Sequence, residues 1–468
     1  MKGFRFPTAF TILFALIALM AALTWVVPVG QYERVMNEEL GREVPVPGSF
    51  EAVESNPQGL ADIALAPING FYNSDSYEAG AIDVALFVLM LGGFLGVVNA
   101  TGSIDHAIQR IMDVFAGREQ WLIPILMALF AAGGTIYGMA EESLAFYAIL
   151  IPIMLRAGYD TVTAVAVIML GCAIGTLGST INPFATVIAS DAAGIAFTEG
   201  MGLRFLILGG GWLICVIYVM RYAARVRADI NHSLVKDKHE ENKQHFLGSS
   251  EDRHSQEMTL KEDLTLVIFA AVFAIMIWGV AVAGWWMAKM AALFIVGAIV
   301  VGLVNRMKEQ DLVDNFIDGA RDLLGVALII GLARGIVVIM EAGHLSDTAL
   351  AWSEDIVSGL SPVVFINVVY WIEVALSFLV PSSSGLAVLS MPIMAPMGDF
   401  AGVSRDLVVT AFQSASGLVN MINPTFAVVM GGLAIGRVPY ETWLKFTWPL
   451  LLILTIFIMA VLSLGTML

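Results

Sequence analysis

The sequence predicts an all-α polytopic membrane protein made of two inverted-topology repeats, each with a re-entrant hairpin and a broken helix. Three observations carry this reading. First, 58% of the 468 residues are hydrophobic and 14% charged, and many apolar runs exceed the roughly 18–20 residues that cross a bilayer as a helix. Second, two apolar spans, 161–195 and 405–436, are interrupted at mid-length by Gly178-Ser179-Thr180-Ile181-Asn182-Pro183 and by Asn420-Met421-Ile422-Asn423-Pro424. Third, landmarks recur at a constant offset: 241 positions from Asn182 to Asn423 and from Gly102 to Gly343, and 240 from Pro152 to Pro392. A strand barrel would instead show alternating segments of about ten residues.

Composition narrows the function. A formal net charge of −16 argues against nucleic acid as a partner. Much of the acid lies between Gln31 and Glu78, opposed there only by Arg34 and Arg42. Cys172 and Cys215 both fall in apolar spans, so no disulfide framework is implied. Lys2 and Arg5 precede an apolar run at 7–29 that is too long for a secretory leader and lacks an A-x-A-like end, so it reads as a retained first span.

Residues 1–79 then comprise that span and an acidic extracytoplasmic loop, with a short amphipathic piece near 60–72. The first repeat is 80–220. It opens with a span at about 80–100 and an interfacial amphipathic helix at 104–115. Residues 121–156 follow, two apolar arms of about a dozen residues around a Gly-rich polar centre that ends in Glu141-Glu142-Ser143. This is either one kinked span or a re-entrant hairpin. Arg110 and Arg118 before it and Arg156 after it favour a hairpin entering and leaving from the cytoplasm. The broken span 161–195 and a span at 201–220 close the repeat. The linker 221–263 is rich in Lys and Arg and therefore cytoplasmic, and its histidines (His232, His239, His245, His254) read as a solvated loop rather than a metal site.

Connecting spans occupy 264–310. The second repeat, 311–468, has a span at 323–340, a hairpin at 361–398 with the tip Pro381-Ser382-Ser383-Ser384-Gly385, the broken span 405–436 and a last span at 443–468. Counting crossings from a cytoplasmic N-terminus makes corresponding spans run in opposite directions. The two hairpins then enter from opposite sides and their tips meet near the midplane.

The breaks are where chemistry concentrates. Pro183 and Pro424 lack the N–H a helix needs. Backbone left unpaired at membrane depth is tolerated only when buried in protein or lining a watery cavity. Half-helix N-termini suit a carboxylate, and exposed carbonyls and hydroxyls suit Na⁺. Ser179, Thr180, Asn182, Asn420 and Asn423 are accordingly candidate ligands, with a sodium site near Ser179, Asn182 and Asn423. The alternative is a Pro kink packed against its neighbours. Charges at bilayer depth cost ~2.5 kcal/mol or more apiece, so Glu141 and Glu142 are candidates for a proton, Na⁺ or a substrate ammonium unless their tip reaches water. Ser382, Ser383 and Ser384 form a ligand cage, a gate or a plain turn. Arg334, inside an apolar span, pairs with a substrate carboxylate or with a glutamate such as Glu373. Trp285, Trp286 and Trp448 read as interface anchors, and Gly92, Gly93 and the glycines at 209–211 as close helix packing. No Walker loop, HExxH or nucleophile elbow is present. No cofactor is expected beyond a coupling Na⁺ or H⁺.

The strings TWVVPVGQYE, GGFLGVVNATGSID, GMAEES, RAGYD, STINPFA, PSSSGLAVLSMPIMAPMGDFAGVSRD and SGLVNMINPT resemble the YfcC-like carriers. That family is grouped with DcuC-type C4-dicarboxylate carriers and ArcD-type basic amino-acid antiporters in the ion-transporter superfamily. The resemblance covers nearly the whole chain. It implies a homodimer with a scaffold domain and a transport domain that moves as an elevator. It also implies that hairpin tips and breaks jointly hold substrate and a coupling cation, often with Ser-Asn-Thr triplets. Here the breaks read Ser179-Thr180-Ile181-Asn182 and Asn420-Met421-Ile422-Asn423 instead. The expectation is a secondary active transporter, not an enzyme, in a bacterial inner membrane with its N-terminus cytoplasmic. It works as an ion-coupled symporter or exchanger of a small carboxylate-bearing solute. Acidic tips suit a cation while Arg334 and the breaks suit an anion, so an amino acid is preferred and a C4-dicarboxylate is the alternative. A passive channel and an intramembrane enzyme are remote readings.

Overall fold

The computed structural model describes residues 9–37, 42–74, 76–77, 79–104, 117–247, 260–283, 285–357 and 359–467. The chain is mostly helical, and seven described helices are long and apolar enough to cross a membrane. Nearly all of the expected interfacial helix at 104–115, and His254, lie outside the described residues.

The helices sort by packing into two groups. One comprises Ala9–Leu23, Leu60–Phe71, Ile82–Ala100, Leu260–Ala281, Met287–Asn305, Glu309–Asp322 and Leu324–Ala342. The other holds Leu122–Tyr137 and Leu144–Arg156, where the first hairpin was expected, Pro362–Leu379 and Ser383–Ala401, where the second was expected, Arg405–Val419, Ala427–Ile435, Met201–Ala228 and Tyr440–Gly465, with Thr161–Leu177 near its centre. Thr161–Leu177 has no polar face because it needs none: nearly every residue is buried, under Leu122–Tyr137, Leu144–Arg156, Met201–Ala228 and Arg405–Val419. Its first turn is fixed by the buried Asp160 carboxylate. That group accepts from Thr163 N (2.8 Å), Thr163 Oγ1 (2.7 Å), Tyr222 OH (2.6 Å) and Ser233 Oγ (2.6 Å). Satisfying a buried carboxylate in this way ties the start of the linker to the first broken span. The principal contact between the groups is Leu324–Ala342 against Ala427–Ile435.

Within the first group the packing is reciprocal. Glu309–Asp322 lies on Ile82–Ala100, and Leu60–Phe71 lies on Leu324–Ala342. Both crossings use glycine pairs four residues apart. A Cβ at Gly92 or Gly96 would strike backbone of Gly319, and a Cβ at Gly70 would strike backbone of Gly331 and Gly335. Small residues spaced in this way let backbones approach closely in an apolar medium, as expected for Gly92.

Several features differ from expectation. Met201–Ala228 runs eight residues past the predicted end of its span, because the Arg-rich turns beyond residue 220 keep good helix formers. Glu309–Asp322, mostly within the second repeat, was not singled out as a helix; its polar composition hides an apolar stripe that needs Ile82–Ala100 as partner. The acidic loop contains antiparallel pairs, Gly30–Gln31 with Glu51–Ala52 and Arg34–Asn37 with Arg42–Pro45. Arg34 Nη2 meets Asp347 Oδ1 at 2.7 Å, pinning that loop to Leu345–Val357.

Candidate functional site

Helix Thr161–Leu177 stops at Gly178, and residues 178–182 are non-helical before a π-type turn at Pro183–Val187 and the short helix Ile188–Ala193. The carbonyls freed by this break find partners on the other broken span. Gln413 Nε2 donates to Ser179 O (2.8 Å) and Ser414 Oγ to Leu177 O (3.0 Å). Gln413 Oε1 accepts in turn from Thr186 Oγ1 (3.1 Å). The two broken spans therefore cross at the first break, with Gln413 wholly buried between them. The second break lies between Arg405–Val419 and Ala427–Ile435. There, Trp443 Nε1 donates to Met421 O (2.8 Å) and Tyr440 OH to Ile422 O (2.7 Å).

The two Asn-Pro asparagines hold the hairpins. Asn182 Nδ2 donates to Gly134 O in the first hairpin (2.8 Å), while its Oδ1 accepts from Phe184 N (2.8 Å) and Ala185 N (3.1 Å). Asn423 Nδ2 donates to Ser377 O in the second hairpin (3.0 Å), while its Oδ1 accepts from Thr425 N (3.0 Å) and Thr425 Oγ1 (2.8 Å). An amide oxygen has two lone pairs, and both oxygens use two. Ser179 Oγ bonds Thr186 Oγ1, and Thr180 bonds Thr135 through its Oγ1 and its N–H, each at 3.0 Å. In this arrangement the oxygens expected to surround sodium near Ser179, Asn182 and Asn423 are engaged with protein. Among the described residues no group of three or more His, Cys, Asp and Glu is placed to hold a metal.

A cavity of about 370 Å³ opens where the two helix groups meet. Of the eleven residues singled out in the sequence, eight line it: Glu141, Glu142, Asn182, Arg334, Ser382, Ser383, Ser384 and Asn420. Ser179, Thr180 and Asn423 lie outside that lining. Arg334 reaches the cavity from the first group, and Glu141 and Glu142 from the second. Arg334 is exposed, and no hydrogen bond or ion pair joins it to Glu373. Glu142 Oε2 accepts from Ala140 N (3.1 Å). Asn420 Oδ1 is buried without a partner, so among the break asparagines it offers a vacant acceptor. Helices Ser383–Ala401 and Ala427–Ile435 begin at the cavity, the first capped by Ser382 Oγ accepting from Gly385 N (3.2 Å). Their free N–H groups add positive character. Ser383 Oγ also bonds Ser416 Oγ (3.0 Å), fixing the second tip to its broken span.

Sequence reasoning missed Phe184 and Trp286, whose rings lie 6.0 Å apart on the cavity wall. Trp286 was expected as an interface anchor. It is half exposed and also lines the cavity. Thr425 and Phe426 were missed as well, although they follow directly on the second Asn-Pro.

A multi-pass helical membrane protein with a charge-lined cavity between two helix groups defines the class, a membrane transport protein. The chain belongs to the DcuC family of C4-dicarboxylate anaerobic carriers, whose family model matches residues 6–467. It is 36% identical to an uncharacterized protein of Haemophilus influenzae over 490 residues, covering 96% of this chain and 95% of that one. It is 33% identical over 476 residues to the Escherichia coli protein named "Putative basic amino acid antiporter YfcC", covering 95% and 93%. Among solved structures, the Alcanivorax borkumensis YdaH transporter aligns at 13% identity and a TM-score of 0.41, covering 98% of each chain. Neisseria gonorrhoeae MtrF aligns at 15% and 0.40, covering 98% of this chain and 95% of that one.

Proposed function

We propose that the protein is a secondary active transporter of a small zwitterionic solute, an amino acid, in a bacterial inner membrane. The observation that carries this reading is the pairing of opposite charges across one cavity: Arg334 on one helix group, Glu141 and Glu142 on the other. The solute carboxylate meets Arg334 and the N-termini of Ser383–Ala401 and Ala427–Ile435, where free N–H groups and the helix dipole favour an anion. The ammonium meets Glu141, which is half-buried at its tip. The reciprocal glycine crossings and the matched Asn182 and Asn423 ties support two inverted halves that exchange roles during transport. In that scheme the first helix group is the scaffold and the second moves against it, with the N-terminus cytoplasmic. The name of the E. coli relative supports an amino acid. The family description favours the second reading, a C4-dicarboxylate, for which Arg334 and two helix N-termini supply the positive contacts.

A thermal-shift screen tests the substrate class. A basic amino acid present at a hundredfold its Kd is expected to stabilise the purified protein by about 2.7 kcal/mol. Stabilisation by succinate or fumarate with no response to any amino acid would transfer the assignment to the dicarboxylate reading. Running each arm with and without sodium identifies the coupling ion.

A further inference from the structure

The second hairpin holds a carboxyl group outside the cavity. Glu373 lies within Pro362–Leu379, is 0% exposed, and neither of its oxygens has a hydrogen-bond partner. Ser377, one turn on and on the same helix face, also has a buried hydroxyl without a partner. So does Ser390, whose side chain faces Glu373 from the other arm, Ser383–Ala401. Three unsatisfied polar side chains thus share the interior of one hairpin.

Among the described side chains, no charged group is paired with them. Around Pro362–Leu379 pack Leu345–Val357, Ser383–Ala401, Arg405–Val419 and Tyr440–Gly465. Among the described side chains of these helices, Asp347 pairs with Arg34, Asp399 with Arg405, and Glu441 with Lys445. Asp406 lies against Gly200, and Tyr440 OH bonds Ile422 O. Tyr370, one turn before Glu373, is the titratable neighbour on the same helix, and its hydroxyl is likewise buried.

An ionised carboxylate withdrawn from water needs a cation or several donors, and here it has neither. A neutral acid carries no charge to desolvate and so sits there at far lower cost. The backbone carbonyl of Ser377 is also the acceptor for Asn423, so any shift of the second break reaches this group within one helical turn. We infer that Glu373 is a proton-carrying site of the second hairpin, holding a proton in this conformation and releasing it to water when the hairpin opens. The step is a proton transfer alone: the carboxyl O–H breaks, water takes the proton, and the carboxylate reloads from the other side. This inference rests on the transporter reading above.

Infrared spectroscopy of the purified full chain tests protonation without any transport. At pH 7 the wild type should show a carboxylic acid C=O band that Glu373→Gln lacks. Modification of the wild type by a hydrophobic carbodiimide, located by mass spectrometry, should fall on Glu373, and this needs no variant to fold. In proteoliposomes, with labelled arginine and labelled succinate as probes, Glu373→Gln should keep solute exchange. It should lose accumulation driven by a pH gradient at least tenfold. Identical infrared spectra with no Glu373 adduct would overturn the assignment, and so would undiminished pH-driven accumulation by the variant. Should the wild type take up neither probe, the transporter reading fails, and the infrared and labelling results alone decide the state of Glu373.

Discussion

Arg334→Ala is expected to lower uptake at sub-saturating solute by roughly tenfold to 100-fold, since a hydrogen bond to a charged group is worth about 1.5–3 kcal/mol. Arg334 lies in the interior of Leu324–Ala342, lines the cavity and, among the described residues, pairs with no acid. Its charge is therefore free to meet the proposed solute. Because it makes no bond within the protein, its removal should leave thermal stability near wild type while abolishing the shift produced by solute. Arg334→Lys keeps the charge but not the planar fork, so it should recover part of the uptake. Comparing initial uptake rates and melting temperatures of the three proteins checks this. Uptake by Arg334→Ala at the wild-type rate would remove the residue from the site.

Asn182→Ala and Asn423→Ala should each reduce uptake at least tenfold by a different route. Each asparagine bridges a break to its own hairpin, and truncation strands three buried groups. These are Gly134 O, Phe184 N and Ala185 N in one case, and Ser377 O, Thr425 N and Thr425 Oγ1 in the other. Each buried bond left unmade costs about 1–3 kcal/mol. Both variants should melt earlier yet still insert and elute as one species, because the apolar helix packing is untouched. Asn420→Ala provides the contrast. Its Oδ1 bonds nothing in the protein, so its loss should weaken solute binding with little change in melting. Normal transport by both Asn182→Ala and Asn423→Ala would show that the ties are dispensable.

Much of this was legible in the chain because a bilayer permits few solutions. Helices must satisfy their own backbone, so a Pro preceded by Asn, Ser and Thr inside an apolar run marks a break. The cavity lining followed from that, with Glu141, Ser382 and Arg334 drawn to it as polar groups that lipid would reject. The division of labour among the asparagines was not legible. Asn182, Asn420 and Asn423 look alike in sequence, and which of them is tied to a hairpin depends on whether its amide N–H meets a carbonyl some 46–48 positions away. Gln413 is a sharper case. It is one amide in a polar-flecked span, yet it closes the first break from 234 positions away. Glu309–Asp322 was missed for a related reason: its apolar stripe has meaning only beside Gly92 and Gly96. Trp286 shows the limit of position rules, since a span end serves equally as a membrane anchor and a cavity wall.

The central claim is that solute crosses the membrane by binding between two helix groups that move relative to each other under an ion gradient. Reconstituting the wild type into proteoliposomes and following labelled arginine and labelled succinate under imposed pH and sodium gradients tests it directly. Accumulation of one of them above its external concentration, abolished by collapsing the gradient, is the predicted result. Flux of either solute that only equilibrates across the membrane, whatever the gradient, would mean a passive pore and contradict the account.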